Sequence, residues 1–267
     1  MTDAIAAQLS QKQFEHIKDR LYGFCGIKLN NDKQNLVRGR LTKRLAAVKV
    51  GSFDQYLEYV EKNSTEFSHM IDALTTNKTN FFREQQHFDY LREHILPNLK
   101  SKRLRIWSSA CSSGEEPYSI SMHLHDNIPD ISRWDIKILA TDISSQILKK
   151  ASTAEYTEEA LSGVSTAQRQ KYFTKNANSL FRVRDEIRAP VKFARLNLME
   201  RWPMQGPFDI IFCRNVMIYF DKPTQGVLVN RFYGLLDEGN HLFVGHSESL
   251  TSIDHRFEYV QPAVYLK

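Results

Sequence analysis

Residues 105–124 read RIWSSACSSGEEPYSISMHL, and the fold turns on how this stretch is read. A short β-rich run ends near Trp107, small residues fill the next seven positions, and an apolar-periodic segment begins at Glu115. Strand, tight turn and helix in that order form the layout of a nucleotide-binding turn. Yet Gly114 is the only glycine in it. A dinucleotide fingerprint places G-x-G-x-x-G there, with helix N-terminal amides around a pyrophosphate. Here Glu115 and Glu116 open the helix instead. Carboxylates suit a helix N-terminus, but they repel a diphosphate. The turn asks for a ligand that lacks phosphate and preferably carries a positive group.

Working outward, β-rich runs recur after Arg103 as LRIW, IKILATD, VKFARLNL, FDIIFC and HLFVGH. Helical segments fall between them, near Glu115–Asp126, Ser144–Ala151 and Thr224–Leu236. This alternation predicts an α/β fold, a parallel sheet with helices on both faces. Two short strands about Gln261-Pro262 in FEYVQPAVYLK predict an antiparallel hairpin at one edge. Residues 160–190 break the alternation and read as a small inserted β-subdomain. Before residue 85 the pattern is helical. Ser10 with Gln13 makes a capping box ahead of Phe14, Ile17, Leu21 and Phe24. Asp32 is the expected cap of a second helix carrying Val37, Leu41, Leu45 and Val48, which Gly51-Ser52 should stop. Two more helices are expected over Phe53–Glu61 and Thr65–Thr76.

Ligands of such sheets gather at the carboxyl ends of the strands, where strand order reverses. Asp142 follows the second strand and can accept hydrogen bonds from ribose hydroxyls or cap the next helix. Asn197 follows VKFARLNL and could read an adenine edge or serve a turn. Arg214 and Asn215 follow FDIIFC, where a charge needs either a ligand or a structural ion pair. A nucleoside with a positive centre and no phosphate answers to these turns, and S-adenosylmethionine is that molecule.

Composition narrows the field. The chain has 267 residues, 42% of them hydrophobic and 25% charged, which is ordinary for a globular protein with room for a large and a small domain. No apolar run approaches the ~18–20 residues of a membrane span, and the polar start MTDAIAAQLSQKQF does not read as a signal peptide. The expected location is the cytoplasm. Cys25, Cys111 and Cys213 lie far apart and match no metal or disulfide spacing, so they read as buried apolar residues and no metal is expected. A net charge of +5 suits an acidic partner without choosing one.

The motifs TTNKTNFFRE, WSSACSSGEEPYSISM, ATDIS, GPFDIIFCRNVMIYFDKPTQ and LFVGHSESL together resemble the chemotaxis receptor methyltransferases, the CheR family, across nearly the whole chain. The resemblance implies a helical receptor-docking domain and linker over residues 1–85. It implies a class I methyltransferase domain with a Rossmann-like sheet over 86–267, interrupted by a β-subdomain at about 175–192. It implies methyl transfer from S-adenosylmethionine to glutamates of membrane chemoreceptors, giving γ-methyl esters and S-adenosylhomocysteine. Asn77, Thr79 and Arg83 match linker positions that touch the cofactor. Glu116 matches the acid of the glycine turn and Asp142 the ribose acid. Asn197, Leu198, Arg214 and Asn215 match later cofactor loops, and Tyr219 matches a tyrosine at the active centre. Arg83 and Tyr219 are the expected catalytic pair, positioning the acceptor.

From Lys33 to Lys49 six basic residues occur with no acid. The family's docking of acidic, glutamate-rich receptor helices makes Arg38, Arg40, Lys43 and Arg44 the expected docking residues, with a solvated face as the plain alternative. The insert YFTKNANSLFRVR lacks the glycine-rich loop of members that bind a receptor's C-terminal pentapeptide tether, so a tether-independent monomer is expected. A nucleic-acid methyltransferase would suit the basic charge, but RNVMIYF stands where an Asn/Asp-Pro-Pro-aromatic turn would be. A non-catalytic cofactor-sensing module is the other alternative.

Overall fold

The computed structural model describes residues 8–267; the first seven residues of the polar start lie outside them. The described residues form two compact units, one running to residue 76 and including 219–221, the other comprising residues 77–218 and 222–267. The break thus falls after Thr76, ahead of the expected residue 85, so the NKTNFFR segment belongs to the sheet unit.

The helical unit contains α1 (Gln11–Cys25), α2 (Gln34–Val48), α3 (Phe53–Lys62) and α4 (Ser64–Leu74). Both hydrogen bonds of the Ser10–Gln13 capping box are present, a device that stabilises a helix start by about 1 kcal/mol. Phe14 and Ile17 of α1 meet Val37, Leu41 and Leu45 of α2 and Phe53, Tyr56 and Met70 of the later helices in one core, and Leu21 is also buried. Two expectations fail locally. Asp32 lies in a short 3-10 turn, Asn31–Lys33, and caps nothing; Lys33 stands at the start of α2 without a side-chain cap. Lys49, in the left-handed region, ends α2 through bonds to Ala46 O and Leu45 O, which frees Ser52 to cap α3.

In the sheet unit, Gln85–Tyr90 (α5) runs on into a π-helical turn, Leu91–Ile95. There follow β1 (Arg103–Ser108), α6 (Glu115–Asn127), β2 (Asp135–Asp142) and α7 (Ser145–Thr153). Next come β3 (Glu155–Tyr156), α8 (Thr166–Tyr172), β4 (Phe173–Lys175), β5 (Phe181–Val183), α9 (Asp185–Arg188) and β6 (Val191–Arg195). The chain ends with β7 (Phe208–Cys213), α10 (Lys222–Leu235), β8 (Leu236–Val244), β9 (Glu258–Gln261) and β10 (Val264–Leu266). The main sheet has the order β6-β2-β1-β7-β8-β10-β9. Its first five strands are parallel, and the β9–β10 hairpin supplies the antiparallel edge. The α/β architecture read from the alternation is therefore present.

Strand order reverses between β1 and β7, which opens the ligand crevice at their carboxyl ends. Trp107, fully buried on β1, pins that point: its indole N–H donates to Thr141 Oγ1 at 2.9 Å, and Thr141 donates to Ser109 O at 3.2 Å. A second, three-stranded antiparallel sheet has the order β3-β5-β4. It begins at Glu155, earlier than the expected 175, and Val191-Lys192 already belong to the main sheet. Within the insert, Asp185–Arg188 forms the short helix α9. A two-residue strand carries no period to read, which is why β3 escaped the pattern. No helix among the described residues is long and apolar enough to cross a membrane.

Candidate functional site

Three turns converge at the carboxyl ends of β1, β2 and β7. After β1, Ser109 N donates to Phe212 O and Cys111 N to Thr141 O, tying the turn to both neighbouring strands. Gly114 has φ +96°, and a Cβ there would lie 2.9 Å from Tyr156 Oη and 3.0 Å from Ala151 Cβ. Glycine is required by conformation and by space at once. The turn is closed from the linker side too, since Ser112 Oγ donates to Asn77 O at 3.0 Å.

Asp142 ends β2 and is buried. Its Oδ2 accepts Ser112 N at 2.9 Å and its Oδ1 accepts Ser144 N at 3.0 Å. Ser144, not Asp142, caps α7. Asn197 is buried with its Oδ1 accepting Met199 N at 3.0 Å, and Leu198 beside it is buried.

Arg214, at the end of β7, is 2% exposed on its side chain and is bracketed by two acids. Its Nη1 lies 3.2 Å from Glu116 Oε2, its Nε lies 3.2 Å from Glu84 Oε2, and its Nη2 donates to Arg83 O. Glu116 also accepts Ser108 Oγ at 2.7 Å. Burial raises the Glu116 carboxyl above its ordinary value, against the pull of Arg214. Burial works on Glu84 too, but Arg214 and the bonds from His246 N and Asn215 prevail and hold it below the ordinary value. Neighbouring Glu115 does not join this group: its Oε2 accepts Ser113 Oγ at 2.6 Å, and burial pushes it up.

Neither Glu84 nor Glu248 was anticipated. Glu84, at φ +59°, takes Asn215 Nδ2 and His246 N on Oε1, each at 3.2 Å. Glu248 accepts Asn215 N at 2.7 Å and Gly245 N at 2.6 Å on one oxygen and Ile218 N at 3.1 Å on the other. The turns after β7 and β8 are so close that a Cβ on Gly245 would stand 2.5 Å from Asn215 Nδ2. The sequence signal for an acid here was Arg214 itself, a buried cation in need of a counter-charge.

The linker residues reach the site through their backbone and through Arg83. Phe82 N donates to Ser119 Oγ at 2.9 Å on α6, and Arg83 Nη1 donates to Lys78 O at 3.0 Å. Thr79 lies half-buried in the same segment. Tyr219 groups instead with the helical unit, where Lys28 N donates to its carbonyl at 2.8 Å.

Among the described residues, Glu84, His87 and His246 bring one metal-ligating atom each within 4.8 Å of one another. A cation there would stand beside Arg214, whose guanidinium already occupies Glu84. His87 is fully buried, and burial first, Arg214 second, drives it down to about 3, so the ring is neutral near pH 7. The three cysteines are buried, and burial pushes the Cys25 thiol up to about 12.

The turn residues fit S-adenosylmethionine. Two carboxylates against one guanidinium leave the Glu84–Arg214–Glu116 group with one surplus negative charge, the complement of a cation. The comparisons agree. Residues 77–266 match the CheR methyltransferase S-adenosylmethionine-binding domain, and residues 12–75 match the all-alpha domain of the same family. The chain is 42% identical over 256 residues to a probable chemotaxis protein methyltransferase of Rhizobium etli, covering 92% of this chain and 96% of the relative. It is 41% identical over 272 residues to the chemotaxis protein methyltransferase of Escherichia coli, covering 99% and 93%. The Borreliella burgdorferi chemotaxis protein methyltransferase is 38% identical, with coverages of 92% and 91%. A turn built for a cationic nucleoside and matches of this extent lead to one assignment: the chain belongs to the CheR methyltransferase family and binds S-adenosylmethionine.

Proposed function

We propose that this methyltransferase is a protein-glutamate O-methyltransferase acting in the cytoplasm. Its substrates on this reading are glutamates in the helical cytoplasmic region of chemoreceptors, which it converts to γ-methyl esters without requiring a tether. It works as a monomer. The observation that supports a carboxylate acceptor is that the buried acids of the described site are engaged as hydrogen-bond acceptors and the buried His87 is neutral, with His246 the exposed ring beside them. His87 is held neutral with its affinity for a proton driven down to about 3, and Glu84, Glu116, Asp142 and Glu248 each accept bonds from fixed donors. An amine or hydroxyl acceptor would need a proton removed. A glutamate carboxylate, ionised above about pH 4.3, needs only alignment.

In this reading Asp142 holds the ribose, Asn197 and Leu198 flank the adenine, and Asn77, Thr79, Arg214 and Asn215 enclose the amino-acid end. Glu116 faces its ammonium. Bound S-adenosylmethionine supplies a methyl group on a sulfonium, activated for in-line displacement. Arg83 pairs with the incoming carboxylate as an orienting group, and the orienting role that the family resemblance implies for Tyr219 is part of the same proposal.

Receptor docking falls to part of the basic helix. Arg40 Nη1 caps the end of α4 through Leu74 O at 2.8 Å and Thr75 O at 3.0 Å, and Arg44 is paired with Glu66 at 2.6 Å. Those two side chains are partly engaged within the fold and also line the groove beside Lys43. Arg38 and Lys43 are exposed, and Lys43 lines an open groove of about 490 Å³ with Leu36, Gly39 and Ala73. An acidic receptor helix meets those two charges.

The test uses methyl-labelled S-adenosylmethionine with receptor-bearing membranes, and with nucleic acid in a second tube. Alkali-labile label released as methanol from receptor protein is the expected result. Stable label on nucleic acid, or none on receptor, would overturn the proposal. Arg38→Glu with Lys43→Glu should lower receptor methylation at least tenfold while leaving S-adenosylhomocysteine affinity within twofold; an unchanged rate removes the docking assignment.

A further inference from the structure

We infer that Glu84 is a positioning residue that acts through Arg214, keeping the Glu116 carboxylate available to the cationic end of the ligand. The inference deepens the proposed function and rests on its reading that Glu116 faces the ligand's ammonium.

The geometry is specific. Glu84 occupies the left-handed region at φ +59° just before α5. Its Oε2 lies 3.2 Å from Arg214 Nε, while Oε1 receives Asn215 Nδ2 and the His246 amide. Arg214 therefore presents one edge to Glu84 and gives Glu116 only Nη1, at 3.2 Å. Glu84 and Glu116 side chains are 11% and 13% exposed, so water screens these charges poorly. The next cation, Arg83, directs its guanidinium to Lys78 O, and His87 is neutral.

Remove the charge of Glu84 and this balance changes. Arg214 and Glu116 are then one cation and one anion, which cancel. The guanidinium, freed from Nε pairing, can turn to close on Glu116 with two parallel N–H bonds, the favoured geometry for a guanidinium and a carboxylate. Either way the site loses its surplus negative charge. The ammonium of the ligand would suffer; the nucleoside, held at Asp142 and Asn197, would not. A merely structural role for Glu84 makes the opposite prediction, since a loosened crevice weakens every ligand.

The experiment is calorimetric titration of the full chain with two probes, S-adenosylhomocysteine, which carries the ammonium, and 5′-methylthioadenosine, which is the nucleoside without it. Glu84→Gln should weaken S-adenosylhomocysteine by roughly tenfold and change 5′-methylthioadenosine by less than twofold. Glu84→Asp, which keeps the charge on a shorter stem in a residue that tolerates the left-handed region, should fall between wild type and Glu84→Gln. It decides the matter by the same two-probe comparison if the glutamine variant does not fold. Glu116→Gln is the control for the underlying reading and should show the same selective loss. If Glu116→Gln is selective but the Glu84 variants weaken both probes equally, or neither, the positioning role is refuted and the reading of Glu116 stands. If Glu116→Gln shows no selectivity, that reading fails and takes this inference with it.

Discussion

Arg44→Met offers the sharpest test of how the helical unit is held. Arg44 forks onto Glu66, Nε to Oε1 at 2.9 Å and Nη2 to Oε2 at 2.6 Å, and Tyr56 Oη adds a third bond at 2.9 Å. The Glu66 side chain is 4% exposed and that of Arg44 is 23%. Methionine keeps the apolar stem and removes the fork, leaving a buried carboxylate with the Tyr56 hydroxyl and His69 Nδ1 at 3.4 Å. Breaking a fully buried pair costs about 3–5 kcal/mol. Because Tyr56 remains and water reaches part of the Arg44 position, about 2–3 kcal/mol is the expected loss. For a unit of this size that lowers its melting temperature by roughly 10–20 °C.

The assay exploits composition. All three tryptophans, Trp107, Trp134 and Trp202, lie in the sheet unit. Tryptophan fluorescence therefore follows that unit, while circular dichroism at 222 nm also sees the helices. The variant should lose an early helical component with little change in the tryptophan transition. Adding Glu66→Gln should restore most of the loss, since the neutral pair leaves no buried charge. The pH dependence has a definite sign. Burial alone would raise the Glu66 carboxyl, but Arg44 and Tyr56 hold it below the ordinary 4.5. A depressed folded value gives stability that is complete above the unfolded value and lost as pH falls through the folded one. The gap between wild type and variant should thus close in acid. An unshifted helical component at pH 7, or a gap that widens in acid, would refute the argument.

Two further substitutions probe the sheet unit. Gly114→Ala combines a left-handed backbone with a Cβ 2.9 Å from Tyr156 Oη; it should lower the tryptophan transition by about 2 kcal/mol or more and abolish measurable S-adenosylhomocysteine binding by calorimetry. Glu248→Gln retains one carbonyl oxygen where two oxygens accept three amides, so thermal scans should show a loss of about 1–3 kcal/mol together with weaker ligand binding.

The sheet was legible because each strand repeats a local pattern, an apolar run that ends in polar turn residues. Ser109, Gly114 and Asp142 could be placed together from strand order alone, since topology brings carboxyl ends of adjacent strands to one edge. The acids that complete the site were not legible. Glu84 lies 130 residues from Arg214, and nothing in FFREQQH distinguishes it from a solvated helix-start acid. Only the demand was readable, a charge at the end of the buried strand FDIIFC. The same limit applied to Arg40 and Arg44. Their spacing gave a basic flank, but whether a guanidinium faces solvent or meets α4 depends on residues 34 positions away for Arg40 and 22 for Arg44. Short-range exceptions such as Lys49 in the left-handed region arise because tertiary packing can hold an unfavoured conformation at a cost of about 1–2 kcal/mol.

An acid-rich crevice is at first sight a poor host for an enzyme whose proposed acceptor is itself a carboxylate. The charges resolve the difficulty. Glu84, Arg214 and Glu116 sum to one negative charge, and the methyl donor, with its sulfonium, ammonium and carboxylate, carries one positive charge. Together they are neutral. The incoming glutamate then needs only one cation, and on the proposed reading Arg83 is that cation. Its hold on Lys78 O is a single bond at 3.0 Å, so it can turn to the acceptor without breaking an ion pair. After transfer the ester is neutral and the product has lost its sulfonium charge. Arg83 and the surplus acid are then left to balance one another. The charges of the Glu84–Arg214–Glu116 group, Arg83 and the two reactants thus balance before and after the reaction, so the transfer itself adds no uncompensated charge to this part of the crevice. Reversing Arg83 to glutamate would put one unmatched negative charge beside the acceptor's own, and should raise KM for receptor far more than it changes the affinity for S-adenosylhomocysteine. Equal losses in both would mean that Arg83 shapes the cofactor site and leaves the acceptor to another cation.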